Sequence, residues 1–139
     1  MIRIAVVDGQ GGGIGKAVVE RIKSADIKGV EILALGTNAT ATGQMLRAGA
    51  DEGATGENAI VHNMKEVDIV VGVIAVLAAN SMLGELTPSM VEAIGGSKAF
   101  KVLLPINRCG IHVVGVKDTN LSLLLDEAVV SITEYCQKR

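Results

Sequence analysis

Four near-continuous apolar runs set the terms on which this chain can fold. Ile2 to Val7 (IRIAVV), Val30 to Leu35 (VEILAL), Asp68 to Ile74 (DIVVGVI) and Lys101 to Ile106 (KVLLPI) lack the strict apolar and polar alternation of strands with one wet face. Strands of this kind are covered on both sides, the situation of parallel strands whose crossovers lay helices above and below the sheet. A shorter piece from Asp51 to Ala54 adds another strand. His112 to Val116 (HVVGV) follows the last run too closely for a helical crossover, so it is expected to turn back antiparallel at one edge.

Helical segments fall between these runs: Ile14 to about Ser24, Ala41 to about Ala48, about Glu57 to Lys65, Pro88 to Ile94, and Asn120 to about Cys136. Thr87 before Pro88 supplies a cap and a first-turn proline, and Gly95-Gly96 offers a left-handed stop. In the last helix Leu121, Leu124, Ala128, Ile132 and Cys136 recur every three or four residues as a core-facing stripe. With right-handed crossovers, this order predicts an α/β, three-layer Rossmann-like fold. Its sheet is a mostly parallel, twisted one of about five to six strands with an antiparallel edge hairpin. No linker, repeat or low-complexity tract divides the chain, so residues 1–139 are expected to form a single domain.

Composition removes several functions. Phe100 and Tyr135 are the only aromatic residues, there is no Trp, and the formal net charge is -2. Neither stacking platforms nor a basic stripe is present, so no nucleic-acid partner is expected. The longest apolar run, Ile69 to Ala79, is too short to span a bilayer, and Met1 leads into IRIAVV without the pattern of a signal peptide. A soluble, cytoplasmic protein with no membrane partner is expected, its Cys109 and Cys136 present as thiols.

Between the first strand and the first helix lies VVDGQGGGIGKAVV, with Asp8 at its entrance followed by Gly9, Gln10, Gly11, Gly12, Gly13, Ile14 and Gly15. Amide groups at a helix start are unpaired and carry partial positive charge, and residues without side chains let phosphate oxygens come close. Spacing separates the known phosphate loops. GxGxxG has no match, and the Walker pattern would need glycine at Gln10 and a hydroxyl at Ala17. Gly9, Gly13 and Gly15 give GxxxGxG, which resembles the cofactor fingerprint of short-chain dehydrogenases. That resemblance stops at the first βα turn. The second strand ends in Gly36-Thr37-Asn38, without the acid that usually holds ribose hydroxyls about 20 residues further on. The dehydrogenases' Tyr and Lys are absent too, since Tyr135 lies on the last helix and Arg139 follows it.

Asp8 would repel a phosphate unless a metal, a ribose hydroxyl or a ring nitrogen came between them. Its plain alternative is to accept hydrogen bonds from the glycine amides and stiffen the loop.

Ligands of open α/β sheets sit beyond the carboxyl ends of the strands. Those ends carry Thr37-Asn38, then Thr55, Glu57 and Asn58, then Asn80-Ser81, then Asn107-Arg108-Cys109. Four asparagines, Asn38, Asn58, Asn80 and Asn107, suit recognition of a base, a sugar or a carboxamide. Arg108 adds a cation shaped for phosphate or carboxylate. Each asparagine also has a structural use, as a helix cap or a turn former. Cys109 and His112 would serve as nucleophile and base only if brought together, and His62 lies on a helix surface. No CxxC or HxxxH spacing points to a metal.

The motifs VDGQGGGIGK, LGTNATAT, GADEGATGENAIV, ANSMLGELTP and LPINRCGIHVVGV together resemble a small bacterial family described as a domain of unknown function. The resemblance implies a Rossmann-like cytoplasmic protein; it implies no reaction and carries over no site residue. The expected function is binding of a nucleotide, dinucleotide or other phosphate-bearing small ligand at the glycine loop, assisted by Lys16 if it turns inward. Two alternatives stand beside it. Asp8 or Glu57 could act as acid or base on a phosphorylated or carboxylated metabolite, or VIAVLAANSMLG could present an apolar patch to a twin subunit in a homodimer whose glycine loop is empty.

Overall fold

A computed structural model describes residues 1–106, 109–117 and 120–139. Five strands, β1 (Ile2–Asp8), β2 (Val30–Gly36), β3 (Glu52–Thr55), β4 (Ile69–Val73) and β5 (Phe100–Leu104), pair in the order β3-β2-β1-β4-β5. Every pairing is parallel. The apolar runs explain the order: β1, β2 and β4 lie innermost and bury Ile4, Val6, Ile32, Ala34, Ile69 and Val71 from both faces.

Helices α1 (Gly13–Ser24), α2 (Ala39–Arg47), α3 (Glu57–Asn63), α4 (Pro88–Gly95) and α5 (Leu121–Gln137) complete three layers. Right-handed crossovers put α1, α2 and α5 together on one face and α3 with α4 on the other. Helix α5 turns Leu124, Ala128 and Ile132 inward, as its spacing predicts; Leu121 and Cys136 are half-buried against the core, and Leu125, outside the expected stripe, is buried as well. Thr87 caps α4 by accepting from the Met90 amide at 3.2 Å. The chain's Phe and Tyr rings stack on each other, Phe100 of β5 against Tyr135 of α5, 5.2 Å between centroids.

Two expectations are corrected. Among the described residues no edge hairpin forms: His112 to Val116 contains a turn, closed by the Val116 amide on the Val113 carbonyl, and does not pair with β5. Gly115 has a φ of 94°, which breaks the extended course that a strand requires. Helix α4 also ends without a left-handed glycine, because Gly96 keeps a helical φ of -86°.

The order β3-β2-β1-β4-β5 reverses direction between β1 and β4. Chain leaving β1 enters α1 on one face, and chain leaving β4 passes through a 3-10 turn (Ile74–Leu77) toward α4 on the other. In open α/β sheets this reversal marks where ligands bind, outside the carboxyl ends of the strands. Register fixes what stands there: Asp8 pairs with Gly36 and Gly36 with Thr55, on one line across the edge.

Candidate functional site

Asp8 is buried at the end of β1, where Oδ1 accepts from the Gly9 amide at 2.8 Å and Oδ2 from the Gly15 amide at 2.6 Å. The first turn of α1 has amides without partners in its own ladder, and a carboxylate at that end is favoured by the helix dipole. Asp8 thus braces the glycine loop from inside. Gly15 follows from this, since a Cβ there would lie 2.8 Å from Asp8 Oδ2 and from Met45 Sδ.

The remaining glycines divide into two kinds. A Cβ on Gly9 would stand 2.5 Å from Thr37 Oγ1, and one on Gly36 2.6 Å from the Thr42 amide nitrogen. Gly12 has a φ of 76°, and a Cβ there would meet the Ala41 Cα at 2.7 Å. These glycines are demanded by the protein's own packing. Gly11 and Gly13 are not: their φ angles are negative, and among the described residues a Cβ at either would have no atom within 4 Å beyond its chain neighbours and its own helix. Beside them the amides of Gly13 and Ile14 find no acceptor among the described residues.

The structure adds a residue that sequence reasoning misses. Glu85 comes from the loop between β4 and α4, and its carboxylate lies over the mouth of the glycine loop. Its Oε1 accepts from the Gln10 amide at 2.7 Å, the Thr37 hydroxyl at 2.6 Å and Asn38 Nδ2 at 2.9 Å. No cation pairs with it among the described residues. The Thr37 hydroxyl and the Gln10 amide, with Asn38 adding to them against the opposing effect of burial, hold its carboxyl below the ordinary value of 4.5. Glu85 is therefore ionised at neutral pH.

Placing Glu85 strains the loop that carries it. Asn80, Met82, Leu83 and Gly84 have φ values of 66°, 56°, 57° and 91°. The loop is closed by the Asn80 amide on the Leu86 carbonyl and by the Ser81 hydroxyl on the Ala75 carbonyl. Leu83 is 97% exposed, so no packing offsets its left-handed backbone. Leu83→Gly is expected to raise stability by about 0.5–1 kcal/mol in urea unfolding, because glycine carries no Cβ penalty there. A loss of stability would show that Leu83 has a partner in solution.

The other expected residues are distributed along the edge. Asn38 caps α2, accepting from the Ala41 amide at 2.9 Å, while its Nδ2 also donates to the Gln10 carbonyl. Thr55 shares a hydroxyl contact of 2.8 Å with Thr42. Asn58 is exposed in the first turn of α3, and Glu57 accepts from Thr87, tying α3 to α4. Asn80 is exposed and Ser81 buried in the loop around Glu85. Of the described asparagines only Asn38 is hydrogen-bonded to the glycine loop, and Asn107 with Arg108 lies outside the described residues.

Lys16 and His112 are exposed. Cys109 is half-buried, and no hydrogen bond joins it to His112. Burial, with Asp68 nearby, pushes the Cys136 thiol up, which keeps it protonated. Among the described residues no three His, Cys, Asp or Glu side chains converge on a metal position, and no helix is long and apolar enough to cross a membrane.

A groove of about 820 Å³ opens at the opposite edge of the sheet, lined by Val61, Met64, Asp68, Glu92 and Tyr135 among others. It faces the amino end of β4, the wrong end for the ligands of open α/β sheets. The carboxyl edge, with its spare glycines and unpaired amides, is the better candidate.

No curated protein matches the sequence. Among solved structures the chain is similar to the dodecameric FMN-dependent Ubix-like decarboxylase from Escherichia coli O157:H7, with 9% identity, a TM-score of 0.44, and coverage of 96% of this chain and 94% of that one. A family model described as "Domain of unknown function (DUF3842)" matches residues 3–137, and the chain belongs to that family.

Proposed function

We propose that the carboxyl edge of β1 and β2 binds a small phosphate-bearing molecule of nucleotide type, with a phosphate at the start of α1. The observation that carries this reading is the pair of glycines, Gly11 and Gly13, that neither backbone conformation nor packing against the described residues requires. A side chain at either would enter the space over the helix start, where the Gly13 and Ile14 amides point without acceptors. Bare backbone, unpaired N–H groups and the positive end of a helix dipole together suit a phosphate. Asp8 is partly offset by the Gly9 and Gly15 amides from which it accepts.

Gly13→Leu tests the assignment: a Cβ there meets no atom of the other described residues within 4 Å beyond its chain neighbours and its own helix, and unfolding measured alongside reports on the fold. Native mass spectrometry and calorimetric titration with NAD, NADP, ATP, GTP and coenzyme A would be run on the natural protein and the variant. Binding to the natural protein and a loss of at least tenfold in Gly13→Leu, with unfolding unchanged, is the expected result. Equal affinity in the two proteins would refute the phosphate position.

A further inference from the structure

We infer that Glu85 is a hydroxyl-binding acid of this site, and that the ligand it receives carries a ribose; the inference rests on the phosphate reading above. In dinucleotide-binding sheets an acid at the end of the second strand commonly holds the ribose hydroxyls. Here β2 ends in Gly36, followed by Thr37 and Asn38, without an acid of its own. The fold brings one to the same place from the loop after β4. Thr37 and Asn38 both donate to Glu85 Oε1, so the carboxylate is fastened to the end of β2 by the residues that stand where the acid is missing.

The manner of fastening matters more than the position. All three donors converge on Oε1, and no donor among the described residues reaches Oε2. One oxygen anchors the group and the other is left to accept. A carboxylate oxygen that is ionised, held by its anchored partner oxygen and unpaired by any cation among the described residues is suited to accept from neutral hydroxyls, and a vicinal diol supplies two of them.

Glu85 also leaves the phosphate position open. Its Oε1 stands 3.0 Å from where a Cβ on Gly9 would be, whereas a Cβ on Gly11 or Gly13 would meet no other described residue within 4 Å beyond its chain neighbours and its own helix. The acid therefore occupies one end of the glycine loop and the unpaired helix-start amides the other. A plug that mimicked the phosphate would instead cover the Gly13 and Ile14 amides.

Glu85→Gln separates these roles. The glutamine carbonyl oxygen can keep the three anchoring bonds, while the free position changes from an anionic acceptor to an N–H₂ donor. Calorimetry would compare ADP, GDP, their 2′,3′-dideoxy counterparts and inorganic pyrophosphate on the natural protein and the variant. The expected result is at least tenfold tighter binding of a ribonucleotide than of its dideoxy form by the natural protein. In Glu85→Gln that preference disappears while pyrophosphate affinity stays the same. Equal affinity for the ribo and dideoxy forms, with pyrophosphate bound, would overturn the inference and leave the phosphate reading standing. Tighter binding of every probe by Glu85→Gln would make Glu85 a plug and overturn it as well. Binding of no probe by the natural protein would sink both. Thr37→Val, which removes one anchor and leaves Glu85 charged, is expected to weaken the ribose preference partially, which guards against a folding defect peculiar to the first variant.

Discussion

Asp8→Ala is expected to lower the stability of this protein by about 4 kcal/mol. Two buried amides, those of Gly9 and Gly15, would lose their acceptor at once. Each unpaired buried donor costs about 1–3 kcal/mol, and the bonds lost are charge-assisted, which puts them in the stronger class. Asp8→Asn keeps one carbonyl oxygen and turns an N–H₂ group toward the other amide, so about half that loss is expected. Urea unfolding of the three proteins measures both, and the alanine variant should melt roughly 10 °C or more lower. A loss below about 1 kcal/mol would mean that water takes over the two amides and that the loop does not depend on its internal brace.

That brace marks the boundary between what is readable in the sequence and what is not. The strands are legible because burial on both faces leaves an unbroken apolar signature, and Ile4, Ile32 and Ile69 pair across the sheet centre as such residues must. Thr87 and Asn38 are legible as caps because capping is a local matter between a side chain and an amide three residues on. Asp8 is legible only as a pair of alternatives, and the brace among them depends on Gly15, seven residues away.

Glu85 is not legible at all. It meets Gln10 from 75 residues away in sequence and Thr37 from 48, and no local pattern announces a contact set by strand order. An acid serving β2 is expected within the same βα unit, whereas the sheet order places the loop after β4 near the same edge. The edge hairpin fails for a related reason. Its apolar residues suggest a strand, but the left-handed Gly115 interrupts the extended course. A strand signal read from composition carries no information about such a break.

The glycine loop yields the second large effect, and it comes as a contrast between neighbours. Gly12→Ala is expected to cost about 3 kcal/mol, since alanine pays about 1–2 kcal/mol for a left-handed conformation and its Cβ would sit 2.7 Å from the Ala41 Cα. That contact is with the backbone of α2, which can yield only by shifting the helix from its packing on α1. Gly13→Ala, one residue later, meets no other described residue within 4 Å beyond its chain neighbours and its own helix, at a negative φ, and opens the first turn of α1. Alanine there is expected to leave stability unchanged or raise it by up to about 1 kcal/mol, because the unfolded chain loses freedom that glycine has. Chemical denaturation of the two variants measures the difference directly. If both lost stability alike, Gly13 would be a folding residue and its bareness would say nothing about a ligand. A wide separation would mean that a more stable residue was available at Gly13 and is not used, and the reason would have to lie in what approaches the loop from outside the protein.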